Sequence, residues 1–427
     1  MTSDPWPAPR PLAPLDAVVR VPGSKSMTNR ALVLAALATT PTVIEGALTS
    51  RDTTLMADGL RALGAGIDVA GDRWTVTPGP LRGGAGIDAG LAGTVMRFLL
   101  PVVALASGGA VVVDGDRRAR ERPMWPLVDA LRRLGVPVAD AGGGALPITV
   151  HGTGVVGGGS LSIDGSASSQ LVSALLLAAP RFGAGLVLRH RGERLPSTPH
   201  VDMTVTMLRD RGVRVDSLGR ASWQVHPGPI TGGVVAVEPD LSSAAPFLAA
   251  PLVAGGQVTV RGWPAASGQP GTRTPEVLAR MGADVAVTAA GLAVRAGAEL
   301  RGIDVDLADN SELACVLAEL AVFATTPSRL TGIGHMRGHE TDRLAALATE
   351  LGGLGAGVTE LDDGLAIVPR PLHGGVFRTY DDHRLAMAAA VVGLGVDGVL
   401  VENVATTGKT FPSFVETWSA MVRGAAA

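Results

Sequence analysis

Only two lysines stand in this chain, Lys25 and Lys409, and every other basic residue is arginine. Both sit among glycines and hydroxyls, in Pro22-Gly23-Ser24-Lys25-Ser26 and Thr406-Thr407-Gly408-Lys409-Thr410. A compact ammonium beside backbone N–H groups binds an anion, and unlike a guanidinium it can also give up a proton when desolvated. Phosphate or carboxylate chemistry is the reading. Further clusters have the same character: Ala92-Gly93-Thr94-Val95-Met96-Arg97, the arginine-rich turn Arg117-Arg118-Ala119-Arg120-Glu121-Arg122-Pro123, and the hydroxyl nest Asp164-Gly165-Ser166-Ala167-Ser168-Ser169-Gln170. Near the C-terminus, His339-Glu340-Thr341-Asp342-Arg343 and Asp381-Asp382-His383-Arg384 join Lys409. Each alone reads as a helix cap or a solvated corner. Together they point to a site for small anions.

Several of these clusters run straight into apolar, helix-forming stretches, over residues 31–38 after Arg30 and 171–179 after Gln170. Lys25, Ser26 and Arg30 are therefore expected at or near a helix N-terminus, where the backbone dipole favours negative charge. One pattern recurs: a helical segment ending in Leu, Met or Arg, then glycine, then a β-prone run. The glycines are Gly64, Gly135, Gly212, Gly282 and Gly355, spaced roughly 70 to 77 residues apart. Glycine after the last helical residue is the usual left-handed stop, and β-branched residues then begin a strand. Five recurrences and a closing amphipathic helix imply six α/β units, three per lobe. The expected lobes are residues 23–238 and residues 1–22 plus 239–427, with residues 15–21 returning to the second lobe as a strand.

Net charge is −3 and aromatics make up 3%, which argues against nucleic-acid partners. No apolar run is long and uninterrupted enough for a membrane span. The N-terminal stretch is Pro-rich, carries Asp4 and lacks a basic leader and apolar core, so it does not read as a signal peptide. A single cysteine, Cys315, excludes an intrachain disulfide and lies in an apolar helical run. A cytoplasmic monomer is expected. A zincin would need histidine where Arg343 stands, and a phosphate-binding P-loop would need glycine where Asn403 stands.

In order and in register, Pro-Gly-Ser-Lys25-Ser, Ala-Gly93-Thr94-Val-Met-Arg97, Arg-Glu-Arg122-Pro, Gly-Ser-Ala-Ser168-Ser169-Gln170, Glu340-Thr-Asp-Arg343, Asp382-His383-Arg384-Met and Lys409-Thr-Phe-Pro resemble the motifs of the 5-enolpyruvylshikimate-3-phosphate (EPSP) synthase family. The resemblance runs from about Leu15 to the C-terminal helix. It implies the two-lobed enolpyruvyl transferase fold, an inside-out α/β barrel with three βαβαββ repeats in each lobe. It also implies transfer of the enolpyruvyl group of phosphoenolpyruvate to the 5-hydroxyl of shikimate 3-phosphate, through a tetrahedral intermediate and with neither metal nor organic cofactor. By position, Lys25, Gly93, Thr94, Arg122, Gln170, Arg343, Arg384 and Lys409 match residues that hold phosphoenolpyruvate. Lys25, Ser26, Arg30, Ser168, Ser169, Gln170, Ser197, Glu312, His335 and His339 match residues around shikimate 3-phosphate. Glu312 is the expected base and Glu340 the expected proton donor, with Lys25 or Lys409 beside the leaving phosphate. The resemblance also makes glyphosate an expected inhibitor.

The chain departs from the family pattern in places. Leu91 stands where asparagine is common, Glu312 replaces aspartate, His335 and His339 replace asparagine and lysine, and Phe98 replaces proline. The nearest alternative is the related transferase acting on UDP-N-acetylglucosamine, which usually carries cysteine in the loop matching residues 117–122; this loop has none.

Overall fold

A computed structural model describes residues 4–424. The chain divides into two units, one spanning Gly23–Val237 and the other made of the segments up to Pro22 and from Glu238 onward.

Five four-stranded sheets share one plan, in which the first two strands of a repeat lie parallel and a hairpin joins the edge of the second. The repeat starting at Gly86–Asp88 shows it in full. That strand leads through the helix Gly93–Ala104 to the parallel strand Ala110–Asp114, and the helix Trp125–Arg133 leads on to the hairpin Val138–Asp140 and Ile148–His151. Two repeats borrow their leading strand across the chain crossing. Gly233–Ala236 lies parallel to Thr42–Glu45, and Leu15–Val19 lies parallel to Gly256–Arg261. Among the described residues the sixth repeat has no hairpin. Its parallel strands Gly375–Phe377 and Val399–Val401 are completed by the short antiparallel strand Trp6–Pro7. Its last helix is Phe414–Val422.

Each repeat carries two helices of different character. The outer ones are amphipathic and end on the glycines seen in the sequence; Gly64, Gly135, Gly212, Gly282 and Gly355 all have φ between +79° and +107°. At Gly282 a Cβ would also come within 2.1 Å of Glu299 O, so both conformation and space require glycine. The inner helices are mostly buried, and beyond their first two turns they are largely apolar. In the Gly23–Val237 unit these are Lys25–Ala36, Gly93–Ala104 and Ser169–Ala178, which pack on one another, and all twelve residues of Gly93–Ala104 are buried. In the other unit they are Leu241–Ala254, Ala314–Ala321 and His383–Gly395.

The chain crosses between units at Pro22–Gly23 and Val237–Glu238. A Cβ on Gly23 would lie 1.9 Å from Gly46 O, so backbone runs against backbone at that point.

Candidate active site

Several of the sequence clusters lie at the starts of inner helices. In the Gly23–Val237 unit, Ser24 caps Lys25–Ala36 by accepting from Met27 N, and Ser168 caps Ser169–Ala178 by accepting from Gln170 N. The helices begin earlier than their apolar runs indicated, so Lys25 and Ser26 form the first turn and Arg30 the second. Cross-links show that the three N-termini share one end of the unit. Asn29 donates to Thr94 Oγ1 at 2.6 Å, and Arg97 donates to Gln170 Oε1 at 2.8 Å. Gly93 lies between these groups: a Cβ there would come within 2.8 Å of Gln170 Oε1, 2.9 Å of an Arg122 terminal nitrogen and 3.0 Å of Arg97.

Arg122 reaches this point from the arginine-rich segment, whose core is a short 3-10 turn at Ala119–Glu121. It is buried, donates to Leu91 O at 3.2 Å, and its Nε lacks a protein partner. Leu91 meets the arginine through its carbonyl, a contact that does not depend on the side chain at this position. Lys25 Nζ pairs with Asp52 Oδ2 at 3.1 Å, a partner not evident from the sequence.

Arg30 turns inward. It is 1% exposed, donates to Thr204 Oγ1, to the carbonyls of Ser26 and His200, and to Ser173 Oγ, and its guanidinium lies 5.0 Å from the centroid of Phe98. Burial pushes its pKa down to about 9, which leaves it charged at neutral pH. Phe98, unusual for the family, thus supports a cation beneath the site. Through the His200 carbonyl, Arg30 is also tied to the helix Thr198–Arg209, which starts after Ser197. Ser197 holds left-handed backbone, with φ 49°.

The other unit is built on ion pairs. Asp382 caps the inner helix His383–Gly395 by accepting from Arg384 N at 2.9 Å. Its two oxygens also take Arg343 Nε at 2.7 Å and a terminal nitrogen at 3.1 Å. Arg343 opens the outer helix Arg343–Gly353, capped by Asp342. Arg343 also donates to Glu340 Oε2 at 3.1 Å and lies 3.2 Å from His339 Nδ1. Lys409 completes the group, 2.8 Å from Glu340 Oε1. Burial would lower the Arg343 pKa, but Asp382 and Glu340 outweigh it and hold the group above the ordinary arginine value. His335 and His339 meet edge to face, with centroids 5.4 Å apart. Glu312 sits in the 3-10 turn Ser311–Leu313 that precedes Ala314–Ala321, and its carbonyl accepts from Arg384 at 3.5 Å.

Each unit therefore gathers its own share of the sequence-assigned residues. Lys25, Ser26, Gly93, Thr94, Arg122, Ser168, Ser169, Gln170 and Ser197 belong to the first, together with the inward Arg30. Glu312, His335, His339, Glu340, Arg343, Arg384 and Lys409 belong to the second. Among the described residues, no group of three or more His, Cys, Asp or Glu could hold a metal ion.

The EPSP synthase (3-phosphoshikimate 1-carboxyvinyltransferase) family model matches residues 9–418. The chain belongs to the EPSP synthase family. It is 52% identical to a 3-phosphoshikimate 1-carboxyvinyltransferase of Kocuria rhizophila, a similarity covering 98% of this chain and 97% of that protein. Among solved structures, an EPSP synthase of Acinetobacter baumannii superposes with TM-score 0.80 at 25% identity, over 96% of this chain and 97% of that one. The enolpyruvyl transferase NikO of Streptomyces tendae shares the fold, with TM-score 0.74 at 20% identity over 96% of each chain. The two-lobed enolpyruvyl transferase architecture expected for an EPSP synthase is thus the one observed. Cys315, outside these clusters, is buried in the EPSP synthase core, where burial first of all pushes its thiol up to about 12.

Proposed function

We infer that the protein is a 3-phosphoshikimate 1-carboxyvinyltransferase of aromatic amino-acid biosynthesis. It joins the enolpyruvyl group of phosphoenolpyruvate to the 5-hydroxyl of shikimate 3-phosphate and releases phosphate. The reading rests above all on the family match over residues 9–418, with the cations Lys25, Arg122, Arg343, Arg384 and Lys409 of its motifs all present.

In the addition step, the substrate hydroxyl loses its proton to a base and its oxygen bonds to C2 of phosphoenolpyruvate, while the methylene carbon takes a proton. In the elimination step, the C2–O bond to phosphate breaks and the methyl group returns a proton, restoring the double bond. Glu312 is assigned as base and Glu340 as donor. Glu340 accepts from both Lys409 and Arg343, so to act as donor it must take its proton from the Lys409 ammonium 2.8 Å away. Lys25 or Lys409 would protonate or stabilise the leaving phosphate.

The division of substrate contacts follows their chemistry. Phosphoenolpyruvate carries a phosphate and a carboxylate on a small frame, which suits Arg122, Arg343 and Arg384 with Lys25, Lys409, Gly93, Thr94 and Gln170. Shikimate 3-phosphate adds hydroxyls, which suit Ser26, Ser168, Ser169, Gln170, Ser197, Glu312, His335 and His339, with Lys25 on its phosphate and Arg30 bracing from below. The buried, unpartnered Arg122 Nε supports an anion at that point. We place the enzyme in the cytoplasm as a monomer acting without a metal or organic cofactor. No helix among the described residues is long and apolar enough to cross a membrane.

The test is phosphate release from phosphoenolpyruvate. Turnover with shikimate 3-phosphate and none with UDP-N-acetylglucosamine is expected; the reverse would overturn the assignment.

A further inference from the structure

The chain turns at residues 378–382, between the strand Gly375–Phe377 and the inner helix His383–Gly395. Two successive non-glycine residues there, Tyr380 and Asp381, hold left-handed backbone, with φ 52° and 57°. Such a pair costs free energy and persists only where its surroundings dictate it. Here the surroundings are specific. Glu350 takes Tyr380 Oη on one oxygen at 2.6 Å and Arg378 N on the other at 2.9 Å. Asp381 accepts from Asn403 Nδ2 at 2.5 Å through its side chain and from Thr406 Oγ1 at 2.7 Å through its carbonyl.

The placement of these bonds gives them a consequence. Glu350 and Arg343 lie on the same helix seven residues apart, two turns along one face. One helix therefore grips the turn twice, through Glu350 at Arg378–Tyr380 and through Arg343 at Asp382. On its far side the turn is tied to Asn403 and Thr406, and the 3-10 segment Val404–Lys409 ends on Lys409. The strained turn thus touches all three cation-bearing pieces of this unit: the helix of Arg343, the helix start of Arg384 and the segment of Lys409.

We propose that Glu350 and Tyr380 are a positioning pair for the anion cradle of Arg343, Arg384 and Lys409, holding the left-handed turn that fixes Asp382. Neither residue is among those assigned to substrate. The pair acts through the backbone it constrains. Without the Tyr380–Glu350 bond the turn is free to relax toward ordinary backbone, Asp382 shifts, and the paired oxygens that orient Arg343 lose their alignment. Carboxylate-acceptor bonds are strong enough to hold such a turn, and a small misplacement of orienting groups costs catalysis heavily.

The proposal rests on the enolpyruvyl-transfer reading, and two measurements keep the two apart. Kinetics come first. Tyr380→Phe removes one hydroxyl from a side chain that is 41% exposed, so the variant is expected to fold. The Michaelis constant for phosphoenolpyruvate should rise about fivefold or more while that for shikimate 3-phosphate stays within about twofold. Glu350→Leu, which takes away both acceptor oxygens, should raise the former at least as much, and adding Tyr380→Phe should cost nothing further, because the hydroxyl's bond is already lost. Equal changes in both constants, additive losses, or a lower Tm with unchanged constants would overturn the proposal. The second measurement needs no turnover. Tyr380 is the chain's single tyrosine, so absorbance titration reports it alone. Burial, then the bond to Glu350, pushes its phenol up to about 12. In Glu350→Gln it should ionise about one pH unit or more lower, toward the ordinary value near 10. An unshifted titration would refute the pair even in an active enzyme, and a wild type that shows the shift but no turnover would refute the function alone.

Discussion

The two units hold the buried arginines of the candidate site by different means. In the Gly23–Val237 unit, Arg30 and Arg122 bond neutral acceptors: threonine and serine hydroxyls and the carbonyls of Ser26, His200 and Leu91. In the other unit, Arg343 and Lys409 are held by carboxylates, Asp382 and Glu340. A guanidinium on neutral acceptors keeps its charge available for a ligand. One set against two buried carboxylates is fixed in orientation, but most of its charge is already answered. The first unit should therefore lose binding on mutation, and the second should lose binding and stability together. Lys25, paired with the nearly buried Asp52, is the first unit's exception.

The largest effect should come at Asp382. Its side chain is fully buried, it caps an inner helix, and it grips an arginine whose side chain is 3% exposed. Asp382→Ala takes away that cation's two-oxygen partner, leaves it Glu340 alone, and should cost about 3 kcal/mol of stability, read by denaturant unfolding. Arg122→Ala leaves no carboxylate behind; it should lower kcat/KM about 10²-fold while moving Tm by less than about 2 °C. Equal stability losses in the two variants would erase the distinction between the units.

The lysines sharpen it. Lys25→Ala and Lys409→Ala should each lower kcat/KM about 10²-fold, near 3 kcal/mol of lost charge-assisted bonding. Their stabilities should differ. Removing Lys25 leaves Asp52 without its ammonium, whereas removing Lys409 leaves Glu340 still on Arg343. Lys25→Ala should therefore unfold at the lower denaturant concentration. Losses below about threefold in kcat/KM at both positions would end the anion-cradle reading.

Gly93→Ala tests the neutral side at finer scale. Its Cβ would press on Gln170, Arg97 and Arg122 at once, with 2.8 to 3.0 Å to each, and all three contacts are side-chain ends that can give way. The pocket narrows without breaking. We expect glyphosate to compete with phosphoenolpyruvate in the wild type and to bind about tenfold more weakly in the variant, with unchanged stability. Equal inhibition of both would move Gly93 away from the phosphoenolpyruvate site.

The sequence was legible where structure is local. Glycine after a helix has one dominant meaning, and Gly64, Gly135, Gly212, Gly282 and Gly355 bore it out with left-handed backbone. The clusters were legible because hydroxyls, glycine and cations at a helix start are neighbours in sequence as well as in space. What stayed hidden were partners brought together by folding. Asp52 pairs with a lysine 27 residues away, and Thr204 meets Arg30 across 174. Tyr380 and Glu350 are 30 apart; Tyr380 adjoins the cluster at Asp381, but nothing local links it to Glu350. Arg30 itself belonged to a recognisable motif, yet its inward direction depends on Phe98 and the His200 carbonyl, which no local pattern announces.

Glu319 offers the smallest effect and the sharpest contrast with Glu340. Both lie in the second unit, but Glu319 stands in the inner helix Ala314–Ala321, fully buried, with neither oxygen partnered. Burial without a cation raises its pKa well above the ordinary carboxyl value. The sign follows from proton linkage. Below the unfolded value of about 4.5 both states hold the proton and stability is level; above it the unfolded chain releases the proton while the folded one keeps it, so stability falls as pH rises toward the folded pKa. Glu319→Met fills similar space without the ionisable group and should remove that slope. The variant should gain about 1 kcal/mol or more over the wild type at pH 8, and less at pH 5. A gain that is the same at both pH values would mean that Glu319 is charged in the folded protein, and that this unit supplies it with a cation after all.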